Sequence, residues 1–470
     1  MEPCNDSKLK HGNIDYFYKD FESFGRYQLI QFFLICLPLF VISMMHVNYV
    51  FVAEEVKYRP VINRSTYSFH GKILHSCQPW KATIVGSIHN AGMIVSMSFT
   101  GWIADKIGRK PTIIICSVGG VIGLIKLFVK HYYVYIAVEF LESVIASGLY
   151  TVAVVLMIEV GGTSKRVMTG VIFSYAVYVG EIVFSLIALG FQYWKYMLLA
   201  VYSPMILFTF YFYILGESTR WQILRGKIDE AKATLILIAK LNKIHIDADT
   251  IKKLDDQELR AKLNIEKQTQ KESFSVIIQS KEIMMRLFVT SFCFFTSSFL
   301  YYGLIVHSVY LPGNKYINFI LSSLTSFPGE VIAFFMFDRV GRRLGLQFGY
   351  IASALFLIAQ NFTPESILWL KVLLFCLGKM GVVVCFTGIY TYSLELFPTS
   401  VRGSLLGVGN TVARIGSMLA PLTPFMILDV PALPFILFST TALISATLLF
   451  FTPETKTLPL FDTSVDTQCC

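Results

Sequence analysis

Charge is scarce in these 470 residues: Asp, Glu, Lys and Arg together make up 15% of the chain, against about 25% in a soluble globular domain. So little charge cannot clothe a water-facing surface, and a soluble fold is excluded. There is no Gly-rich loop followed by lysine and Ser/Thr, which removes ATP as a direct energy source. No nucleophile–base set and no metal-ligand spacing stands out, so neither an enzyme, a metal centre nor a cofactor is expected. The nine cysteines are scattered without redox or metal spacing and read as small apolar residues. A cleavable signal peptide is missing as well, since the first apolar run starts near Tyr27, behind a charged segment.

What is there is apolar. Hydrophobic residues make up 54% of the chain and the mean hydropathy is +0.60. They gather in runs of about 20 residues, the length that crosses a bilayer as a helix. Such runs fall near 28–52, 82–104, 112–129, 133–157, 168–191 and 196–215, then near 287–310, 316–337, 346–361, 367–393, 404–427 and 432–451. The expectation is an all-α membrane protein with twelve transmembrane helices. The net charge of +9 would suggest nucleic acid in a soluble protein. Here the positives sit mainly in short loops between spans, so the partner expected is the lipid bilayer and no nucleic acid.

Part of the chain is written twice. Asp105, Gly108 and Arg109 recur as Asp338, Gly341 and Arg342, 233 residues later (338 − 105), and Lys110 recurs as Arg343. Glu159 and Arg166 recur as Glu395 and Arg402, 236 later (395 − 159). Glu217-Ser218-Thr219 is echoed by Glu454-Thr455-Lys456, 237 later (454 − 217). A nearly constant offset means two homologous halves, here two pseudo-symmetric six-helix bundles at 28–215 and 287–452. A tail at 1–27 precedes them, a charged linker at 216–286 joins them and a second tail at 453–470 follows.

The loops that carry the repeats hold Lys106, Arg109, Lys110, Lys165, Arg166, Arg339, Arg342, Arg343 and Arg402, while the opposite short loops hold little beyond Lys130, Lys195 and Lys315. By the positive-inside bias the repeated loops, the linker and both termini face the cytoplasm. Asn63 in Asn63-Arg64-Ser65 then lies outside and is a glycosylation acceptor; Asn361, close to a span and followed by Pro364, is a poorer one. Trp221, Leu224, Ile228, Ala231, Leu235, Ile238 and Leu241 recur at helical spacing, the pattern of an amphipathic helix lying against the inner face of the bundle. Gly108 and Gly341 suit tight turns, and Arg109 and Arg342 offer guanidinium forks to carboxylates. Together with Asp105, Lys110, Glu159, Arg166, Glu217, Arg220, Asp338, Arg343, Glu395 and Arg402 they are expected to form inter-helix ion pairs. Those pairs would hold the cytoplasmic side shut. The bland alternative is that they only set topology; acids at repeated positions favour the gate, because acids contribute little to topology.

With these motifs in hand, the chain resembles the major facilitator superfamily, and within it the organic cation, organic anion and carnitine transporters of solute carrier family 22. The resemblance is carried by Tyr301-Tyr302-Gly303-Leu304, Pro312-Gly313-Asn314, Asp338-Arg339-Val340-Gly341-Arg342-Arg343, Glu395-Leu396-Phe397-Pro398-Thr399 to Arg402, and Pro453-Glu454-Thr455-Lys456. Sugar porters share the loop motifs, but the seventh span lacks their Gln-Gln-Leu-Ser type of run. Four features depart from the family. The first outer loop is short, and Thr219 stands where proline is usual. Glu139-Phe140-Leu141-Glu142-Ser143 replaces an Arg-Phe-Leu-x-Gly pattern, and Glu330 stands where the anion branch tends to carry lysine.

An ionised side chain at mid-span costs about 2.5–3.5 kcal/mol and persists only beside water, a partner or the bundle interior. Glu181, Glu330 and Arg414 are such residues; Lys126 and Lys379 lie at other depths and are weaker candidates. The resemblance implies that Arg414 stands at a substrate position that tends to be basic in anion and carnitine carriers. It also matches Tyr301, Phe294 and His46 to pocket positions, where aromatic faces hold organic cations. Glu330 and Arg414 pairing with each other is the alternative. Glu139 and Glu142 read as partners for Lys126 or as a cation-attracting vestibule. The function expected is transport of a small organic cation or a carnitine-like zwitterion by alternating access, in the plasma membrane, with a monomer sufficient. A sugar-porter-like facilitator is the first alternative and a non-transporting sensor on the same scaffold the second.

Overall fold

A solvent that cannot satisfy free backbone groups leaves the helix as the stable form of each span, even across Pro38 in the first and the glycines of the others. The computed structural model of the chain describes residues 25–52, 80–162, 166–191, 193–244, 280–364, 366–398, 401–426 and 432–456, with the single positions 251, 252, 254, 259 and 430. Asn63, Cys77, Lys165, residues 1–24 and 457–470 and the side chain of Arg166 lie outside the described residues.

The first half is built from α1 (Arg26–Phe51), α2 (Trp80–Ile107), α3 (Arg109–Leu127), α4 (Tyr132–Gly161), α5 (Arg166–Gly190) and α6 (Trp194–Phe212). The second comprises α7 (Lys281–Tyr310), α8 (Lys315–Arg339), α9 (Arg342–Phe362), α10 (Leu368–Leu396), α11 (Arg402–Leu419, continued by Thr423–Met426) and α12 (Leu433–Phe451). Ten of these are long and apolar enough to cross a membrane by length and composition alone. The other two, α2 and α11, are diluted by His89, Asn90, Ser96 and Thr100 in one and by Gly407, Asn410, Thr411 and Arg414 in the other. They pack against each other across the seam between the halves. Helices that face one another instead of lipid can carry polar and small residues.

Within the first half α2 packs on α4, α1 on α5 and α3 on α4; within the second α9 packs on α10 and α12, and α7 on α11. Two seams join the halves, α2 against α11 and α5 against α8. The helices outrun the apolar segments at the face that carries the repeated loops. For example, α7 begins at Lys281, before the apolar run expected from 287, and α10 continues to Leu396.

The linker corrects one expectation. In place of a single amphipathic helix there are two, Thr219–Leu224 and Ile228–Asn242, broken at Gly226, whose φ of +74° favours glycine. Leu224, counted on the apolar stripe, is 52% exposed because it falls at that break. The second helix keeps the stripe: Ile228, Ala231, Leu235 and Ile238 form a small core with Tyr27 at the start of α1. Asn242 ties the contact down, accepting from the Tyr27 backbone N–H at 2.9 Å and donating to Gln28 at 3.0 Å. Thr219 takes the first helical position, with Ser218 as N-cap accepting from the Trp221 N–H at 3.2 Å. That position tolerates proline but does not require it.

Candidate functional site

Side chains from both halves converge where the α5–α8 and α2–α11 seams pass mid-span. Glu181 of α5 accepts from the Tyr301 hydroxyl of α7 at 3.0 Å and from Ser323 of α8 at 2.9 Å. Glu330 of α8 accepts from Ser174 and Tyr178 of α5 at 3.4 and 3.2 Å and from Thr387 of α10 at 2.8 Å. Neither carboxylate touches a cation in these contacts. Hydrogen bonds to a charged group stabilise by about 1.5–3 kcal/mol each, enough for two or three hydroxyls to offset the cost of the ion. Both carboxylates are therefore bolts between the halves, and separating α5 from α8 breaks them.

Arg414 of α11 donates to the Tyr302 hydroxyl at 3.1 Å and to the Met97 sulfur of α2 at 3.3 Å. It does not pair with Glu330. Its field reaches His46, Tyr150 and Tyr390. His46 stacks on Tyr150 with ring centroids 5.2 Å apart and meets the Ser147 hydroxyl at 3.2 Å. Tyr302, Tyr301, Phe386, Tyr390 and Phe294 follow one another in ring contact, at centroid distances of 5.5, 5.3, 5.7 and 4.9 Å. Phe294 ends this row, buried between Tyr390 and Gly409, so it backs the cluster and does not face it. Arg414, Tyr150, Tyr302, Phe386 and Tyr390 are half-buried.

Lys379 of α10 is the residue that sequence reasoning underrated. It is 0% exposed, and its ammonium has no hydrogen-bond partner among the described residues. It sits 5.4 Å over the Tyr301 ring, in the field of Glu181. The signal was present, since an intramembrane lysine is a functional candidate wherever it lies in depth. Tyr150, Tyr178, Tyr302 and Tyr390 carried no such signal among so many aromatics. Glu139 and Glu142 are not a vestibule: both are buried on Lys126, each at 2.7 Å.

At the face of the repeated loops the duplication becomes geometry. Gly108 and Gly341 turn the chain with φ of +113° and +116°, and a Cβ at either would run into a glutamate, Glu217 or Glu454. Glu217 accepts from the backbone N–H groups of Arg109 and Lys110, each at 3.1 Å. Glu454 accepts from those of Arg342 and Arg343 at 2.8 and 3.0 Å. Each carboxylate thus caps the N-terminus of the next helix, where unpaired donors and the helix dipole favour a negative charge. Burial pushes the Glu217 carboxyl above the ordinary range while its backbone donors pull it back. The guanidinium of Arg109 reaches Glu159 through two bonds of 3.1 and 3.0 Å and Asp105 at 3.0 Å. Arg342 meets Glu395 through Nε at 3.0 Å. Trp221 and Arg225 donate to the Asp105 carbonyl at the end of α2, at 2.8 Å and at 3.0 and 2.7 Å; Lys456 does the same for Arg339 at 2.8 Å.

Every one of these contacts closes within its own half, so the named pairs form two clamps and a bolt between halves is not among them. Asp338 is exposed and makes no ion pair with a described residue, unlike Asp105. Arg220 is exposed on the first linker helix. Arg402 donates to the Phe397 carbonyl at 3.1 Å.

Known proteins with this organisation are membrane transporters. A profile of the sugar (and other) transporter family matches residues 27–466. Organic cation/carnitine transporter 4 of Arabidopsis thaliana is 30% identical, over 94% of this chain and 88% of its own length. The organic cation transporter protein of Drosophila melanogaster is 30% identical over 81% and 70%, and solute carrier family 22 member 2 of Rattus norvegicus 28% over 83% and 69%. The inward-open structure of the xylose transporter XylE from E. coli superposes with a TM-score of 0.66 over 91% of this chain and 97% of that one. At 14% identity that likeness speaks for the fold. The chain is an integral membrane protein that has the major facilitator fold and belongs to the sugar (and other) transporter family.

Proposed function

We propose that this protein moves a small organic cation or a carnitine-like zwitterion across the plasma membrane by alternating access, and that it acts in transport and not in catalysis. The observation that carries the reading is the mixed-sign cluster at mid-span: Glu181 on the Tyr301 hydroxyl, Lys379 over the same ring and Arg414 on neighbouring Tyr302, with Glu330 on Tyr178 along the α5–α8 seam. Carboxylates and ring faces suit an ammonium head, and Arg414 or Lys379 suits a carboxylate at the other end of the same molecule. The names of the relatives support the same class of solute. Separation of α5 from α8 frees Glu181 and Glu330 for the solute, and its binding offsets the lost bonds. The repeated loops and both termini face the cytoplasm in this reading, where the two clamps keep each half rigid while it rocks. A monomer is sufficient. For a net cation the membrane potential supplies about 2.3 kcal/mol per 100 mV.

The test is uptake of labelled carnitine and tetraethylammonium into proteoliposomes. Arg414→Ala should abolish carnitine uptake and spare tetraethylammonium, and Glu330→Gln should weaken both. Uptake of xylose with neither organic ion transported would replace this reading with a sugar porter.

A further inference from the structure

The interior of the first half holds a charge that its own members do not balance. The Lys126 ammonium of α3 donates to Glu139 and Glu142 of α4 and to the Tyr202 hydroxyl of α6, each at 2.7 Å. The second Glu139 oxygen meets His89 Nδ1 of α2 at 2.7 Å. Asn48 of α1 donates to Tyr202, whose own proton points to Glu142 at 3.3 Å. Lys126, His89, Glu139 and Glu142 are all 0% exposed. One ammonium and two carboxylates sum to −1 (1 − 2) before any proton is placed on His89 or Glu142, and an uncompensated charge buried away from water is costly. A single bound proton removes it.

Two atoms are left for that proton. Glu142 Oε1 and His89 Nε2 have no hydrogen-bond partner among the described residues. Around them stand Asn48, His46 and Tyr49 from α1, Lys126 from α3, Tyr135 and Glu139 from α4, and Tyr202 from α6. The ring of His89 lies 5.4 Å from that of His46 and 6.2 Å from that of Tyr49. His46 in turn stacks on half-buried Tyr150 at the central cluster, in the field of Arg414 from the other half. Ligand atoms of the three residues His89, Glu139 and Glu142 lie within 4.8 Å of one another, the spacing of a cation site. Lys126 fills that space, so the small mobile cation that fits is a proton.

We infer that Glu142 carries an exchangeable proton, that His89 and His46 mark its path to the central cluster, and that its binding and release are coupled to solute movement. Release breaks the Glu142 O–H bond, gives the proton to water admitted on the His46 side and leaves the site at −1; loading reverses this. The geometry ties the site to rocking. A Cβ on Gly86, one turn before His89 on α2, would meet Pro421, in the turn between the two pieces of α11, at 2.8 Å, and Met97 receives the Arg414 bond. Opening the α2–α11 seam therefore admits water beside His46.

The coupling rests on the transport reading above, and the two can fail separately. In proteoliposomes holding the full chain, with sodium replaced by potassium and the potential clamped to zero, an inward proton gradient should raise initial uptake of labelled carnitine or tetraethylammonium several-fold. Each uptake should alkalinise the outer medium. Glu142→Gln should lose the gradient response and keep solute exchange. Wild-type uptake that ignores the proton gradient, or that follows sodium instead, overturns the inference even if the variant does not fold. A solute-free arm compares melting between about pH 5 and 8. A proton held by the folded state and not by the denatured chain makes stability fall as pH rises, and Glu142→Gln should flatten that slope. The flattening without uptake of either probe supports the proton site and sinks the transport reading. An unchanged slope overturns the site.

Discussion

In the first half Lys126 is held by two carboxylates and a tyrosine hydroxyl, deep inside a single bundle. In the second half Lys379 is as fully buried, yet it has no hydrogen-bond partner among the described residues and sits over Tyr301 at the seam. Burial is alike and surroundings are not. An ion whose partners all belong to its own bundle travels with that bundle and belongs to its framework. An ion left unpaired where two bundles meet is available to whatever enters between them. The two loop clamps give the complementary case, one architecture repeated with different bonds from each arginine and different donors to the helix-end carbonyl.

The largest effect should separate the two lysines. Lys126→Met leaves two carboxylates without their cation and should cost about 3–5 kcal/mol, the price of breaking a buried pair, read as melting in detergent. Lys379→Met replaces an unpaired charge by an apolar chain of similar shape and should leave melting unchanged or raise it, while lowering carnitine uptake at least tenfold. Equal melting losses in both variants would erase the distinction.

Next in size are the clamps. Arg109→Lys gives up a bidentate contact with Glu159, whereas Arg342→Lys gives up one through Nε alone. The first should cost about 1 kcal/mol more than the second, the net worth of one hydrogen bond, by the same melting assay. Glu217→Ala and Glu454→Ala should match each other, at about 0.3–2 kcal/mol each. Faster hydrogen exchange at the first turns of α3 and α9 checks this, and a protected turn in either variant refutes the capping role. Smallest is Asp105→Asn against Asp338→Asn. Both acids are exposed, so both changes should stay within about 0.5 kcal/mol, with only the Asp105 variant measurable because Asp105 alone meets its arginine.

Much of this organisation was readable in the chain. Asp105, Gly108 and Arg109, returning as Asp338, Gly341 and Arg342, announced the two halves, because a duplicated turn needs the same glycine and the same fork each time. Glu217 was readable as a partner of those loops and Glu454 only as its echo, neither as a cap that receives two backbone N–H groups. Tyr301 and Glu181 were both legible as intramembrane polar residues; their direct bond was not, since they lie on helices of different halves. Lys379 was discounted for its depth, an argument that considers a helix alone and ignores what packs around it. The reading of the linker as one helix missed Gly226, where a single residue ended the periodicity.

Composition and repetition by themselves determined the membrane, the twelve helices and the twofold plan. These follow from transfer of apolar surface and from backbone hydrogen bonding, both local properties of the chain. Tertiary structure alone decided which charges meet. Glu142 gained Lys126 and Tyr202 on one oxygen and no donor among the described residues on the other, Glu330 gained hydroxyls in place of Arg414, and Lys379 gained an aromatic face. The interaction of two charges depends on their separation and on the medium between them, and neither quantity exists until the helices have packed.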